Sequence, residues 1–147
     1  METEGVFSPE SVEDARRRYD ALDQVAREVV REVARAMSFG ADEYDDRVTD
    51  EVIETGRDAL FASLLEVQVG SYGEFETWRS QTNKEVFEIG SENVDNAVWH
   101  APSFADTAVV ATYQNEREAA VSTLRRQAFG RLYRDVLDED TVEETKR

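Results

Sequence analysis

His100 is the only histidine in the chain and the first residue to consider for chemistry. A Ser-His-Asp triad would have to use it. Ser103 is close in sequence, but no serine lies in the Gly-x-Ser-x-Gly turn that presents a nucleophile. Because His100 follows Trp99 on a predicted strand, the two side chains point to opposite faces, and we expect one to be buried and the other exposed. His100 is then either an exposed or locally hydrogen-bonded residue or a member of a ligand site.

Motifs for metals, phosphates and cofactors do not occur in the sequence. The chain has no cysteine and a single histidine, which excludes thiolate ligands, cysteine nucleophiles and His-His zinc motifs. The Gly70–Gly73 segment lacks the lysine of a phosphate-binding loop, and the acidic segment 42–46 lacks the glycine of a calcium loop. Carboxylates are so frequent that pairs of them arise by chance. We predict no catalytic residue, no metal site and no cofactor; whether the protein is an enzyme stays open, and the missing motifs favour a protein that is not.

Arginines are distributed unevenly along the chain. Between Lys84 and Arg117 there is no lysine or arginine, and most arginines fall in two segments that are predicted to be helical. They are Arg16, Arg17, Arg18, Arg27, Arg31 and Arg35 in the first segment and Arg125, Arg126, Arg131 and Arg134 in the last. Such residues pair with carboxylates one helical turn away, as the spacing of Asp14 and Arg18 allows. Alternatively, they form a pocket for an anionic ligand or an acidic partner.

Arg125 allows the sharpest structural prediction. On a helical wheel it falls in the middle of the apolar side of the last helix, whereas the other arginines of that helix fall towards solvent. A guanidinium keeps its proton, so a buried one needs a partner or a route to water. We expect a buried ion pair with Asp58, or with Glu66 as a second choice; if neither is near, an anionic ligand explains the residue better. The candidate ligand-binding residues are His100, Tyr113 and Arg125.

A long first helix is predicted over residues 9–37, with Ser8 as its N-cap and a kink near Asp20–Asp23. Apolar residues recur at spacings of three and four from residue 12 to residue 36. This pattern fits a helix that packs within its own chain or one that also pairs with a second copy. Because the apolar stripe is longer than a small domain usually needs, we predict a homodimer through this helix.

The remaining segments indicate an α+β fold in a single domain over residues 1–147. An acidic connector at 41–48 leads to a second helix, which is apolar nearly all round and should be buried. This second helix is predicted at 50–66, further helices at 72–80 and 115–137, and strands at 85–89, 97–100 and 107–113. The expected architecture is an N-terminal helical bundle portion, a small antiparallel three-stranded sheet with 67–69 as a further edge strand, and a C-terminal helix packed on the sheet. A frayed acidic tail is expected at 138–147.

The charge of the chain is strongly negative. Asp and Glu total 33 against 17 Lys and Arg, giving a formal charge of −16, and only Lys84 and Lys146 are lysines. Hydrophobic residues make up 40%, enough for a packed core, so disorder is excluded. Carboxylates spread over a folded surface suit a salt-rich cytoplasm, where their repulsion is screened. This charge disfavours nucleic-acid binding, and the lack of a signal peptide or long apolar span predicts a cytoplasmic protein without a membrane segment.

Three stretches carry a resemblance to a known family: Arg57–Leu65, Thr123–Arg134 and, between them, Ala97–His100. In these stretches the chain resembles a small uncharacterised family of halophilic archaea, a domain of unknown function. The resemblance implies an archaeal cytoplasm. It supplies no activity, cofactor or catalytic residue.

Two classes of function follow from the sequence. The first is a halophilic cytoplasmic protein without catalytic activity that self-associates and acts through protein contacts or anion binding; the absence of nucleophile, metal and phosphate motifs favours it. The second is a small enzyme or ligand-binding domain with its site between the sheet and the C-terminal helix, using His100, Tyr113 and arginines. A deep pocket at His100 would favour the second class, and a broad apolar face on the first helix would favour the first.

Overall fold

The computed structural model describes residues 1–137, and the predicted acidic tail at 138–147 lies outside this range. The chain forms a mixed α+β fold. Its helices are α1 (Val12–Asp20), α2 (Asp23–Ala36), α3 (Ala41–Arg47), α4 (Asp50–Ser63), α5 (Tyr72–Gln81), α6 (Arg117–Ala128) and α7 (Arg134–Leu137), with a π-helical turn at Phe129–Tyr133 between the last two. Its strands are β1 (Glu2–Glu4), β2 (Val67–Ser71), β3 (Glu85–Ile89), β4 (Asn96–His100) and β5 (Thr107–Tyr113).

The five strands form one mixed sheet in the order β1-β2-β4-β5-β3. β4 is antiparallel to both β2 and β5, and β1 is antiparallel to β2, but β3 is parallel to β5. The predicted three-stranded antiparallel meander is therefore wrong. The segment 67–69, which was expected at the edge, lies inside the sheet as part of β2, between β4 and the unpredicted strand β1.

Burial explains this strand order. β4 is buried from Ala97 to His100, so it is stable only with a neighbour on each edge and a covering layer on each face. β3 carries Glu85 and Glu88 and is exposed or half-buried along its length, which suits an outer strand. After β3 the chain turns at Gly90, whose φ of +103° favours glycine, and crosses β5 to reach the β4 position.

Helices cover both faces of the sheet. On one face, α5 places Phe75 against Trp99 of β4, with their ring centroids 5.4 Å apart. The other face is covered by α1, α4 and α6, and the larger hydrophobic cluster there includes the fully buried Phe61. Because both faces are covered, Trp99 and His100 are each only 1% exposed. The expectation that one of them faces solvent is therefore wrong.

The predicted first helix is divided into two helices. A turn at residues 21–22 separates α1 from α2, where the kink was expected. The N-cap of α1 is Ser11, whose Oγ accepts a hydrogen bond from the backbone N–H of Asp14 at 3.0 Å. The predicted cap at Ser8 is wrong, because the following Pro9 is packed into the interior ahead of the helix.

Local capping signals further along the chain are confirmed. Thr49 caps α4 by accepting a hydrogen bond from the backbone N–H of Val52 at 3.3 Å. Ser71 and Glu74 form the predicted capping box at the start of α5. The acidic segment 41–48 was predicted to be a connector, but most of it forms α3, which is closed by backbone hydrogen bonds at both ends.

The last predicted helix, 115–137, contains a π-helical turn in its second half. α6 packs on β4 and β5, as predicted, and buries Val121, Leu124 and Ala128. The π-helical turn contains more residues per turn than an α-helix, so the buried side of the chain is rotated after it. Phe129 and Tyr133, at the two ends of the turn, are both buried.

Candidate functional site

A groove with a volume of about 800 Å³ lies between α4 and α6. Four arginines line it: Arg117, Arg125, Arg126 and Arg134. Its apolar lining comes from Ala59, Ala62, Val121 and Phe129. Three acidic residues, Glu4, Asp58 and Glu118, line it as well. The groove therefore combines an apolar surface with charges of both signs, with one more arginine than acid.

α4 leaves this groove open because the residues it turns towards α6 are small. Ala59 and Ser63, one helical turn apart, are exposed, and Ala62 is half-buried. The large side chain of Phe61 is on the opposite side of α4, fully buried in the core. The prediction that this helix is buried all round is therefore wrong, since its groove side remains accessible.

Arg125 is held against the wall of the groove. It is half-buried, whereas Arg126, Arg131 and Arg134 are exposed, in agreement with the helical wheel. Its Nε donates a hydrogen bond to the backbone carbonyl of Leu65 at 3.0 Å. Burial lowers the pKa of the Arg125 guanidinium from its ordinary value. The side chain is thus fixed through one nitrogen while its guanidinium borders the groove.

The predicted ion pair between Arg125 and Asp58 is not formed. Asp58 instead accepts a hydrogen bond from Tyr19 Oη of α1, with 2.5 Å between the two oxygens. Across residues 1–137, no carboxylate oxygen lies within 4.0 Å of an Arg125 nitrogen, so Glu66, the second choice, does not form the pair either. Asp58 and Arg125 do line the same groove.

The other groove arginines differ in how their charge is compensated. Arg117 Nη2 lies 2.7 Å from a carboxylate oxygen of Glu2 and 2.6 Å from one of Glu4, and these contacts raise the pKa of Arg117. Within the part of the chain that the structure describes, neither Arg126 nor Arg134 has a carboxylate at ion-pair distance. Three of the four groove arginines therefore form no ion pair within residues 1–137, although the charge of Glu4, which lines the same groove, acts on Arg125.

His100 forms a buried hydrogen-bonded pair with Tyr133. Its Nδ1 lies 2.6 Å from the Glu66 backbone carbonyl oxygen, and its Nε2 lies 2.7 Å from Tyr133 Oη. A carbonyl can only accept, so Nδ1 carries the proton and Nε2 accepts from the tyrosine hydroxyl. Burial, and secondarily the charge of Arg125, lowers the pKa of His100 to about 4. The imidazole is therefore neutral at pH 7, locally hydrogen-bonded and closed off from solvent.

Backbone carbonyls just after α4 connect the groove to the core. The Leu65 carbonyl accepts a hydrogen bond from Arg125, and the Glu66 carbonyl accepts one from His100. The Leu64 carbonyl accepts hydrogen bonds from the backbone N–H groups of residues 6 and 7. Gly5 approaches the Leu65 carbonyl so closely that a Cβ would overlap it, and its φ is +114°. The acceptor that orients Arg125 is therefore itself fixed from several sides.

Two regions lie between the sheet and the predicted C-terminal helix. Where α6 crosses the sheet, Leu124 and Val121 pack with Val98 and Val109 in one hydrophobic cluster. Beside the π-helical turn there is a cavity of about 570 Å³ between the edge of the sheet and residues 131–132, and none of the three predicted ligand-binding residues lines it. Tyr113 is half-buried at the end of β5, and it does not line the groove. His100 does not line it either, so Arg125 is the one predicted ligand-binding residue that the groove contains.

Sequence reasoning missed that α4 forms one wall of the site. The signal was the spacing of Thr55, Ala59, Ala62 and Ser63, which puts small residues on one side of a helix whose other side carries Phe61. Arg117 was also missed as a groove residue. Its position depends on β1, and three residues are too short a segment to predict as a strand.

The fold and groove define an α+β protein with an arginine-lined groove between two helices. The chain belongs to a family of unknown function (DUF5809), whose model matches residues 6–134. The resemblance to a domain of unknown function is thereby confirmed, and the matched range includes all four groove arginines. No curated protein and no solved structure gives a significant match to the chain. Among the helices of residues 1–137, none is long and apolar enough to cross a membrane.

Proposed function

We propose that the protein is a non-catalytic, self-associating module that binds an anionic ligand in the groove between α4 and α6. The observation that carries the proposal is Arg125. In a chain with 33 acidic residues, the half-buried Arg125 guanidinium forms a hydrogen bond to a backbone carbonyl and no ion pair within residues 1–137, which supports an anion from outside the chain as its partner. The two neighbouring arginines that also form no ion pair within this range add to the positive charge there.

The lining of the groove supports an amphiphilic ligand. A carboxylate, sulfonate or phosphate group accepts hydrogen bonds from guanidinium nitrogens, and such charge-assisted bonds are stronger than neutral ones. Ala59, Ala62, Val121 and Phe129 offer apolar surface beside the arginines. The ligand class that fits both features is a small anion attached to an apolar body.

An enzyme remains the alternative, but the structure offers less support for it. Burial lowers the pKa of His100 and raises the pKa of its partner Tyr133, yet each residue is at most 1% exposed. A general base must come within hydrogen-bond reach of its substrate. A binding protein is therefore the better proposal.

Self-association through the first helical segment is supported by α2. Val25, Val29, Val33 and Met37 are between 42% and 61% exposed, and they follow one another at intervals of four residues along one side of the helix. A contiguous apolar stripe on a soluble surface is typical of an interaction site. Light scattering in concentrated salt should give the mass of a homodimer at tens of micromolar protein; a monomer mass would contradict self-association.

The proposed setting is the cytoplasm of a halophilic archaeon. The composition supports it through the excess of carboxylates, the scarcity of lysine and the net charge of −16. Such a surface is best tolerated where salt screens repulsion over a few ångströms. All binding experiments should therefore be done in about 2 M potassium chloride, well inside this screened regime.

The anion-binding proposal can be tested with 8-anilinonaphthalene-1-sulfonate, a fluorescent anion with an apolar body. The native protein should bind it at a single site. Arg125→Met should weaken this binding by about tenfold or more, since a hydrogen bond to a charged group contributes about 1.5–3 kcal/mol and 1.4 kcal/mol is a factor of ten. Arg126→Met is the matched control from the exposed side of α6 and should cause a smaller loss.

Two further measurements distinguish dye binding in the groove from nonspecific dye binding. Ala59→Trp fills the apolar side of the groove from an exposed position and should block the dye while the circular dichroism spectrum stays native. Decanoate should displace the dye, and inorganic phosphate at the same concentration should not, because phosphate has no apolar body. Equal dye affinities in the wild type, Arg125→Met and Ala59→Trp would refute binding in the groove.

A further inference from the structure

Asp58 brings a negative charge to the α4 wall of the groove. It is half-buried, and one of its oxygens accepts the hydrogen bond from Tyr19 Oη. Its neighbour Arg57 lies instead over the Tyr19 ring, with Nη1 3.6 Å from an oxygen of Asp23. Among the residues that the structure describes, no lysine or arginine nitrogen lies within 4.0 Å of the Asp58 carboxylate. Asp58 is thus oriented by a hydroxyl group and forms no ion pair within residues 1–137.

Asp58 and Arg125 differ from the other charged residues of the groove. Of those others, Glu4 and Arg117 are half-buried and pair with each other. The rest are exposed: Glu118, Arg126 and Arg134. One half-buried charge of each sign therefore remains without an ion pair in residues 1–137, the acid on α4 and the arginine on α6. Both are held by neutral groups of the protein, a hydroxyl and a backbone carbonyl.

An apolar stretch of the groove separates these two charges. Asp58, Ala62 and Leu65 follow one another at intervals of four and three residues, so they lie on one side of the chain. The Leu65 carbonyl marks the position of Arg125, which donates to it. Seven residues from Asp58 to Leu65 correspond to about 10 Å along a helix axis. Ala62 lies between them and lines the groove.

We propose that the ligand of the groove is a zwitterion, with a carboxylate at Arg125, an ammonium group at Asp58 and an apolar chain between the two. This inference rests on the proposed anion binding and adds a second charge at the opposite end of the ligand. An ammonium group and a carboxylate form charge-assisted hydrogen bonds, as the anion does with the guanidinium. The apolar chain then lies along Ala62, where a further charge would lose its hydration without gaining a partner.

The length of the groove points to 6-aminohexanoate as the simplest probe. Six bonds separate its nitrogen from its carboxyl carbon, about 7 Å when the chain is extended. A hydrogen bond of about 2.9 Å from its ammonium group to Asp58 extends this reach to about 10 Å. 4-Aminobutanoate is two carbons shorter, so it should be unable to reach both charges.

Matched probes test both ends by displacing 8-anilinonaphthalene-1-sulfonate from the wild type in the same concentrated salt. 6-Aminohexanoate should displace the dye at a concentration about fivefold or more below that of hexanoate, because salt screens half-buried charges less than exposed ones. Hexylamine lacks the carboxylate and 4-aminobutanoate lacks the length, so both should displace the dye less well than 6-aminohexanoate. Direct calorimetric titration with 6-aminohexanoate checks the binding without the dye.

Asp58→Asn tests the ammonium end while keeping an oxygen that can accept the hydrogen bond from Tyr19. In this variant the advantage of 6-aminohexanoate over hexanoate should disappear, and the dye should stay bound. Glu118→Gln is the matched control, because it removes one negative charge from an exposed position of the same groove and should keep the advantage. The comparison of probes in the wild type decides the inference even if Asp58→Asn does not fold.

The outcomes distinguish the zwitterion from anion binding in general. Equal displacement by 6-aminohexanoate and hexanoate would overturn the inference, while a loss of dye affinity in Arg125→Met would still support the proposed function. Loss of the advantage in both Asp58→Asn and Glu118→Gln would overturn it too, since the total charge of the groove and not Asp58 would then be recognised. A wild type that binds neither the dye nor 6-aminohexanoate would refute the proposed anion binding together with this inference.

Discussion

Arg125 is oriented before any ligand arrives. Its Nε is bound to the Leu65 carbonyl, and that carbonyl is fixed by the close approach of Gly5. Holding a side chain in its binding conformation lowers the entropy lost when a ligand binds. An exposed arginine such as Arg126 loses more conformational freedom on binding, so the affinity of the groove should depend mainly on Arg125.

The absence of an ion pair changes what Arg125 should contribute to stability. Loss of a buried pair from one side typically costs about 3–5 kcal/mol, but Arg125→Met removes only a hydrogen bond from a charged donor to a carbonyl. We expect the free energy of unfolding to fall by about 1.5 kcal/mol in Arg125→Met. The control Arg126→Met should stay within about 0.5 kcal/mol of the wild type. Equal destabilisation of both variants in denaturant titrations would show that the Leu65 contact is unimportant.

His100 should make stability depend on pH. Its pKa is lowered to about 4 in the folded protein, so between pH 6.5 and 4 the unfolded chain binds a proton that the folded chain does not. The contribution of His100 is thus fully present above pH 6.5 and is lost as the pH falls towards 4. The pKa difference corresponds to about 3 kcal/mol.

The control for this prediction is His100→Gln, which removes the titrating group while keeping a polar side chain. Carboxylates also titrate at the lower end of the range, so the test is the difference between the two proteins and not the wild-type curve alone. Between pH 6.5 and 5, the free energy of unfolding of the wild type should fall more steeply than that of the variant. Parallel curves would mean that the buried imidazole already accepts a proton in the folded state.

Within and beside the secondary-structure elements, replacing two glycines by alanine should change stability in opposite directions. Gly130 is in the π-helical turn, its Cβ position meets no atom within 4 Å, and alanine there should stabilise the helix by about 0.5–1 kcal/mol. Gly5 has a φ of +114° and presses against the Leu65 carbonyl, so Gly5→Ala should destabilise by more than about 1 kcal/mol. Melting temperatures of the two variants check both signs; a lower value for Gly130→Ala would mean that the π-helical turn needs glycine.

Elements with local signals could be predicted from the sequence, and their assembly could not. The capping box of Ser71 and Glu74 and the apolar run of β5 depend on residues near in sequence. The position of β3 beside β5 depends instead on β4 being the strand that is buried on both faces. This is a long-range property that residues near in sequence do not reveal. The π-helical turn at 129–133 has no strong signal of its own in the sequence, and the contact between its Tyr133 and His100 joins residues that are far apart in the chain.

For the candidate site, too, the sequence revealed local features and not the contacts between elements. Burial of Arg125 relative to its helical neighbours follows from the wheel. The predicted carboxylate partner is wrong, since the hydrogen bond goes to the Leu65 backbone carbonyl, and the anionic ligand stays a prediction. The sequence did not reveal that Asp58 accepts a hydrogen bond from Tyr19 of α1 and is therefore not paired with Arg125. One of Trp99 and His100 was expected to face solvent because the sequence does not show that helices cover both faces of β4.

The charge of the whole molecule is concentrated on its surface. Five of the ten ion pairs among residues 1–137 join residues one helical turn apart, and some of these are exposed on both sides, such as Arg35 with Glu32 and Arg47 with Glu43. Such pairs contribute little to stability, about 0–1 kcal/mol each. The remaining carboxylates greatly outnumber the arginines left to neutralise them, so the folded state carries a large repulsion that only the solvent can screen.

We therefore expect the fold to require salt. At about 1 M salt the Debye length is about 3 Å, and below about 0.5 M it exceeds about 4 Å, so neighbouring carboxylates begin to repel one another. Far-ultraviolet circular dichroism should show loss of helix and strand as potassium chloride is lowered through this range. An osmolyte such as sucrose favours burial without screening charge, so sucrose in dilute buffer should restore less structure than salt does. A native spectrum and an unchanged melting temperature in dilute buffer would instead show that the surface charge is tolerated without screening, which would remove the main support for a halophilic setting.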